Sequence, residues 1–461
     1  MAFLGTGYLG ATYAVCLAEL GYDVLGFDPD ASKIAHLAAG RVPFHEPGLQ
    51  DLLRTNLAAG RLRFSTSLDE VAAFGDIHVV CVGTPQRAGA MAADLSQVRS
   101  AITNLVPRIR RKALIIGKST VPVGTTAWIE SLVADHADPG LGIEVAWSPE
   151  FLREGLAVND VLRPDRVVFG VRSDWASAML HAAHQGVFDL AAEESREVPV
   201  IVCDFATAEL VKVAANAFLA TKISFINAMA EVCEASGGDV ELLAQAIGHD
   251  ARIGRQFLGA GIGFGGGCLP KDLRAFQARA QELGVGEALR FLYEVDLINQ
   301  RSRQRVVRLA ATLLGCPDGP TGPDFAGTRI ACLGATFKPD SDDVRDSPAL
   351  SVIRTFAAAG AEVRVYDPRG TDNAREAVPE VAYAQSLADA VARADLLCVL
   401  TEWGEFREAD PAALARLVRG HRVIDGRGCL DAARWAAAGW DHHTLGRRVK
   451  VQQDSARWLV R

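Results

Sequence analysis

Short apolar runs alternate with stretches of helical spacing from residue 1 to about 200. Phe3–Leu4 begins a strand, Leu9–Leu20 reads as a helix, and Asp23–Phe27 is a second strand. Ile77–Val82, Ala113–Lys118 and Glu144–Ala146 are further strands. Strands separated by helices in this way predict an α/β domain over residues 1–203, with a parallel sheet covered on both faces. The pattern changes at Asp204. Ala206–Ala235 and Glu287–Leu314 read as long helices without intervening strands, so residues 204–314 form a helical region suited to pairing two copies of the chain. The run Cys-Pro-Asp-Gly-Pro-Thr-Gly-Pro-Asp-Phe-Ala-Gly ending at Gly327 marks a linker over 315–327. Arg329–Leu333, Val363–Tyr366, Leu396–Leu400 and Arg422–Ile424 then predict a second α/β domain over 328–461.

Composition narrows the class. A chain of 461 residues is too long for one core. Its 49% hydrophobic and 23% charged residues are ordinary for a soluble protein, and a net charge of −8 argues against broad binding to nucleic acid or anionic membranes. The nine cysteines form no CxxC pair and no zinc-type spacing, so no metal site is expected. Scattered single thiols fit a reducing cytoplasm. The first 27 residues lack a basic leader and are interrupted by Glu19 and Asp23, which favours a βαβ unit over a signal peptide. No apolar run approaches the ~20 residues of a membrane span.

Chemistry enters at particular loops. Gly5-Thr-Gly-Tyr-Leu-Gly10 follows a strand and opens a helix. Its glycines would permit the tight turn, the approach of a pyrophosphate and close packing of helix on strand. Asp28 ends the next strand, where its carboxylate would accept from ribose hydroxyls and repel a 2′-phosphate. NAD is therefore favoured over NADP; the alternative is a tight turn with no ligand. Cys81-Val-Gly-Thr-Pro85 and Lys118-Ser-Thr-Val-Pro-Val-Gly124 lie just past strand ends, where Thr84 and Thr120 would line the cofactor cleft or simply make turns.

In Ser148-Pro-Glu-Phe-Leu-Arg-Glu154, Glu150 and Glu154 would share a face of a helical turn and raise each other's pKa; two solvated acids is the alternative. Lys212 and Asn216 are four apart in an apolar helix, so the ammonium either meets an anion or snorkels to water. The strongest signal is Gly261-Ile-Gly-Phe-Gly-Gly-Gly-Cys-Leu-Pro-Lys-Asp272. Glycine runs make poor core, and Lys271 and Asp272 follow Cys268 within one turn, where a cation would activate the thiol. Phe337-Lys-Pro-Asp340 and Val344-Arg-Asp-Ser347 follow the first strand of the last domain and add Lys338 and Arg345.

Taken in order, these motifs resemble the UDP-glucose/GDP-mannose dehydrogenase family over nearly the whole chain, and within it the bacterial UDP-glucose-oxidising members. The resemblance implies two Rossmann-like parallel-sheet domains joined by a long central helix, a homodimer formed through the helical region, and oxidation of a nucleotide sugar's C6 alcohol to a carboxylate with two NAD. By position, it implies Cys268 as nucleophile, Lys212 and Asn216 as oxyanion partners, Asp272 as support for base catalysis, and Glu154 with Thr120 as positioners of water. NAD would meet Gly5, Gly7, Tyr8, Leu9, Gly10, Asp28, Lys33, Thr84, Thr120, Glu150, Lys271 and Arg345. UDP-glucose, or a related nucleotide sugar, would meet Phe151, Leu152, Glu154, Lys212, Asn216, Phe257, Leu258, Gly259, Gly261, Gly265 and Lys338, with Arg252 reaching across a dimer. Three departures from the family pattern are visible: four residues precede Gly5, Ser148 stands where Asn is usual, and Gly267 where Ser is common. The same chemistry on dTDP-glucose, GDP-mannose or a UDP-N-acetylhexosamine is the alternative within the class. A sugar-nucleotide-binding protein that has lost catalysis is the alternative outside it, and a hydroxyacid dehydrogenase would have no use for Cys268.

Overall fold

The computed structural model describes residues 1–319 and 322–447; the end of the expected last domain, 448–461, and positions 320–321 of the expected linker lie outside them. Two compact units divide the chain: Met1–Phe218 with Lys271–Arg290, and Leu219–Pro270 with Phe291 onward. The predicted helical region is thus shared between the two units.

The first unit holds an eight-stranded sheet in the order β3-β2-β1-β4-β5-β6-β7-β8. Its strands are β1 Ala2–Leu4, β2 Val24–Phe27, β3 Leu62–Ser65, β4 Ile77–Val80, β5 Leu114–Gly117, β6 Glu144–Trp147, β7 Val167–Gly170 and β8 Val200–Cys203. All pairs are parallel except β6 with β7, which meet antiparallel at Trp147 and Gly170. The expectation of a parallel sheet is corrected at that one junction. Side chains alternate across the sheet as the pleat requires. Phe3, Val79 and Ile116 enter one buried cluster with the helices Tyr8–Glu19 and Asp174–Glu193. Ala2, Leu4, Val80, Ile115 and Trp147 enter the cluster on the opposite face. Strand order reverses between β1 and β4, so ligands are expected beyond the carboxyl ends of these two strands.

In the second unit, β11 Arg329–Leu333, β12 Glu362–Tyr366, β13 Ala382–Tyr383, β14 Leu396–Val399, β15 Arg422–Asp425 and β16 Asp441–Thr444 form a parallel sheet in the order β13-β12-β11-β14-β15-β16. The same reversal recurs, between β11 and β14. Asp367 ends β12 as Asp28 ends β2, but here the carboxylate is consumed internally. It accepts from the N–H groups of Ala335, Thr336, Arg369 and Gly370 and from the Trp403 indole, which leaves it no role as a ribose acceptor. The expected linker is also structured: β9 Asp318–Gly319 pairs with β10 Gly322–Pro323, and Phe325 is fully buried.

The helix Phe205–Ser236 corrects another expectation, since it is long and apolar enough to pass for a membrane span by composition. It puts only part of those residues into the core, burying Ala208, Val213, Ala217, Ala220, Ile226 and Ala230 and leaving Phe218, Phe225 and Val232 exposed.

His78 lies in the middle of β4, fully buried, with neither ring nitrogen hydrogen-bonded among the described residues. Burial, aided by the N-terminal ammonium and Arg111, lowers its pKa from 6.5 to about 4. The unfolded chain therefore takes up this proton near pH 6.5 and the folded chain only near pH 4. Stability is flat above that window and falls as pH drops through it, by about 3 kcal/mol from this residue. His184, lowered to about 3 by burial and then by Lys118, acts in the same direction. Melting temperature is expected to hold above pH 7 and to drop between pH 6.5 and 4. His78→Leu should flatten part of that slope, and an unchanged slope would exclude His78 as its source.

Candidate active site

The fingerprint loop fits a dinucleotide for reasons visible at each glycine. A Cβ on Gly10 would lie 1.8 Å from the Gly5 carbonyl oxygen, so helix and turn meet only without a side chain. A Cβ on Gly7 would meet nothing within 4 Å. Gly7 therefore presents bare backbone to open space where the helix Tyr8–Glu19 begins, and no side chain caps that helix. Free N–H groups with the positive end of the helix dipole form a phosphate seat. Leu9 packs on the core, and the Tyr8 hydroxyl donates to Glu46.

Asp28 accepts from Thr6 N–H (3.0 Å), Asp30 N–H (3.1 Å) and the Lys33 ammonium (2.7 Å). Burial works against its charge, but Lys33 and the two N–H groups outweigh it and hold the carboxyl below its ordinary range. An oriented anion at the end of β2 suits ribose hydroxyls and opposes a 2′-phosphate. Past β4 and β5, Thr84 donates to the Thr120 carbonyl at 2.7 Å, which ties the two turns together. The departure at Ser148 has a use: its carbonyl and hydroxyl oxygens both lie 3.2 Å from the buried Lys118 ammonium.

Residues 149–156 form a loop rather than the predicted helical turn. Glu150 and Glu154 consequently do not stack as a like-charge pair. Glu150 accepts from Leu152 N–H at 2.6 Å and pairs with Lys212 at 2.9 Å, both side chains buried. Glu150 is thus an anion that Lys212 meets. The Phe151 ring packs under the Arg166 guanidinium, 3.8 Å from its centroid, with the Lys212 ammonium at 5.8 Å. One turn along the same helix, Asn216 donates to Asp272 at 2.7 Å, and Lys271 pairs with the other Asp272 oxygen at 2.7 Å. Thr120, Lys271 and Asp272 line one small cavity. Lys212, Asn216, Asp272, Lys271, Glu150 and Thr120 all belong to the first unit.

In the second unit, the loop leading to Cys268 is tethered along its length. Gly261 N–H donates to Asn227, Ile262 N–H to the Gly426 carbonyl, and Gly266 N–H to the Arg345 carbonyl, at 2.8, 3.0 and 2.9 Å. Asn299 exchanges two hydrogen bonds with the backbone of Phe264. Arg427 donates to the carbonyls of Gly263, Phe337 and Leu400. The glycines are required by proximity: a Cβ on Gly265 would lie 2.4 Å from the Asp346 carbonyl oxygen, and one on Gly267 2.4 Å from the Arg345 guanidinium carbon. The departure at Gly267 thus gives Arg345 its place, held by guanidinium bonds to both Asp343 oxygens.

Cys268 directly precedes the helix Leu269–Glu282 and is the one exposed cysteine of nine. Burial pushes the other thiols up where a shift is resolved, Cys81 to about 12, so they stay protonated. Phe257 is held at φ 64°, and Asp340 and Asp346, beside Lys338 and Arg345, at φ 60° and 44°. Left-handed backbone at non-glycine residues costs about 1–3 kcal/mol each and gathers at ligand-binding segments.

Three family models match in order. The NAD-binding domain of the UDP-glucose/GDP-mannose dehydrogenase family covers residues 1–187, its central domain 206–301 and its UDP-binding domain 331–432. A UDP-glucose 6-dehydrogenase of Bacillus subtilis is 37% identical over 97% of this chain and 98% of its own length. One from Rhizobium meliloti is 38% identical over 97% and 99%. The chain belongs to the UDP-glucose/GDP-mannose dehydrogenase family. A UDP-glucose dehydrogenase structure from Pyrobaculum islandicum superposes with a TM-score of 0.85, at 36% identity over 94% of this chain and 95% of that one.

Family membership sharpens where sequence reasoning fell short. The tethers Asn227, Asn299 and Arg427 were not singled out, nor were Glu46 and Arg303, which donates to the Phe264 carbonyl and to Asp346 at 3.2 Å each. Asn299 and Arg303 did carry a signal: two polar residues four apart on the buried side of an amphipathic helix, Phe291–Leu314, the same pattern that picked out Lys212 and Asn216. Arg252, expected to reach a partner subunit, pairs with Asp250 of its own chain at 2.6 Å.

Proposed function

We propose that this NAD-dependent dehydrogenase oxidises the C6 alcohol of UDP-glucose to the carboxylate of UDP-glucuronate. The observation that carries the proposal is Cys268, an exposed thiol at the end of a tethered glycine loop and one turn ahead of Asp272. When bound, NAD would supply the hydride acceptor, and the full oxidation would take two equivalents with one water, releasing three protons. NAD would be held by the Gly5–Gly10 loop, Asp28, Lys33 and Thr84, with Glu150, Lys271 and Arg345 as further contacts. An aldehyde is a poor hydride donor; the thiol makes it one. Cys268 sulfur adds to the C6 aldehyde carbon, and the resulting thiohemiacetal carries the hydrogen that leaves in the second oxidation. The product is a thioester on Cys268. Water oxygen adds to its carbonyl carbon, the carbon–sulfur bond breaks, and the thiolate returns.

Lys212 and Asn216 stabilise the oxyanion at these steps. Asp272 assists proton removal through water, and Glu154 with Thr120 places the hydrolytic water. Phe151, Leu152, the segment Phe257–Gly261, Gly265 and Lys338 hold the sugar nucleotide. A panel of UDP-glucose, dTDP-glucose, GDP-mannose and UDP-N-acetylhexosamines, assayed for NADH per sugar, tests the reading. Two NADH with UDP-glucose are expected. One NADH with free aldehyde would reject the four-electron chemistry, and preference for another sugar would reassign the substrate.

The working form is a cytoplasmic homodimer. Phe218, Phe225 and Val232, spaced by seven along the helix Phe205–Ser236, are 66%, 49% and 55% exposed, an apolar stripe suited to a second copy. Sedimentation is expected to give twice the chain mass, and a monomer at micromolar concentration would contradict it.

A further inference from the structure

The buried carboxylate of Glu46 has no role in the scheme above. It lies between the helices Ala31–Ala38 and Leu49–Ala58, and it is 5% exposed. An unpaired carboxylate at such depth costs several kcal/mol, so its cost must be offset by the bonds it makes. Those bonds converge on a distant loop. One oxygen accepts from the Tyr8 hydroxyl and from Gly155 N–H at 2.6 Å, and the other accepts from Ala157 N–H at 2.8 Å. Gly155 N–H also donates to the Tyr8 oxygen at 3.2 Å. Burial and then the Glu46 carboxylate push the Tyr8 pKa far up, so Tyr8 remains the donor.

The near side of the loop is pinned in the same manner. Arg153 N–H donates to Asp160 at 2.8 Å, and its guanidinium adds bonds of 3.0 and 2.6 Å to the same carboxylate. Glu154 is the residue between these two clamps. Asp160 fixes the chain before it, Glu46 fixes the chain after it, and Glu46 also binds Tyr8, the first residue of the dinucleotide helix.

We propose that Glu46 is a positioning residue: by holding Tyr8, Gly155 and Ala157 on one carboxylate, it sets Glu154 in register with the dinucleotide helix for hydrolysis of the Cys268 thioester. The inference rests on the role proposed for Glu154. Displacement of a water-placing group by a fraction of an ångström slows the step it serves and spares the hydride transfers before it.

Rapid mixing of Glu46→Gln with UDP-glucose and NAD tests this. Glutamine keeps the shape but replaces one acceptor oxygen with a donor facing N–H or O–H groups. The first two NADH per site are expected at the wild-type rate, followed by a steady state slowed roughly tenfold to a hundredfold. Intact-mass measurement should show the acyl adduct on Cys268. A general structural lesion would instead slow the burst and the steady state together, with no adduct, and that result overturns the proposal, as does unchanged turnover. If Glu46→Gln does not fold, Glu46→Asp, which shortens the reach to Gly155 and Ala157, is read in the same way. Glu154→Gln separates the two layers. Should it fail to accumulate the adduct, the role of Glu154 is wrong; should it accumulate the adduct while the Glu46 variants do not, only the inference about Glu46 falls.

Discussion

Replacement of Cys268 by alanine is expected to stop the reaction at the aldehyde. Without sulfur to add, the C6 carbon keeps its carbonyl and offers no second hydride at a useful rate. The variant should yield at most one NADH per sugar, and carboxylate formation should fall at least roughly a thousandfold, about 4 kcal/mol of barrier. An aldehyde trap such as semicarbazide would draw the first oxidation forward and reveal the stalled product. The other thiols offer no substitute: Cys16, Cys81, Cys233, Cys332 and Cys398 are buried, and Cys203, Cys316 and Cys429 are partly buried with raised pKa values. Native protein should accordingly be alkylated at Cys268 first, and prior alkylation should reproduce the alanine phenotype. Two NADH per sugar from Cys268→Ala would remove the thiol from the mechanism.

What the chain disclosed beforehand divides by distance along the sequence. The fingerprint turn, the glycine run and the long helices are local, since periodicity and glycine placement report them directly. The central strands β1, β2, β4, β5 and β6 were legible as short apolar runs because both their faces are covered. The flanking β3 was not, because Leu62–Ser65 is half-exposed and resembles a loop, and β8, Val200–Cys203, shows its side chains to solvent. The loop at 149–156 misled for a different reason. Four-residue spacing of Glu150 and Glu154 suggests a helix, but the N–H groups of Leu152, Arg153 and Gly155 go to the carboxylates of Glu150, Asp160 and Glu46, and no helical ladder forms. The spacing of Lys212 leaves an anion partner and a snorkel to water equally open, and Glu150 as that anion, sixty-two positions earlier, was not recoverable from it. Glu46 and Arg427 act on backbone more than a hundred residues away and carry no local signal.

Lys212→Met is expected to cost both stability and turnover, and a second substitution separates the two. Removing the ammonium leaves the Glu150 carboxylate buried at 7% exposure without the cation that faces it. Breaking a buried pair from one side typically costs about 3–5 kcal/mol, so the single variant should melt several degrees lower. Turnover should fall roughly a hundredfold to a thousandfold, the range for loss of one oxyanion donor. In Lys212→Met/Glu150→Gln the buried charge is gone as well, and an apolar or neutral replacement of both partners is often nearly neutral for folding. Melting temperature should recover most of its loss while turnover stays low, because the developing oxyanion still lacks its cation. If turnover recovers together with stability, Lys212 serves only to neutralise Glu150, and the oxyanion role passes to Asn216 alone. If neither recovers, the pair is holding the loop at Phe151, whose ring lies against the same ammonium, and the loop rather than the charge limits the reaction.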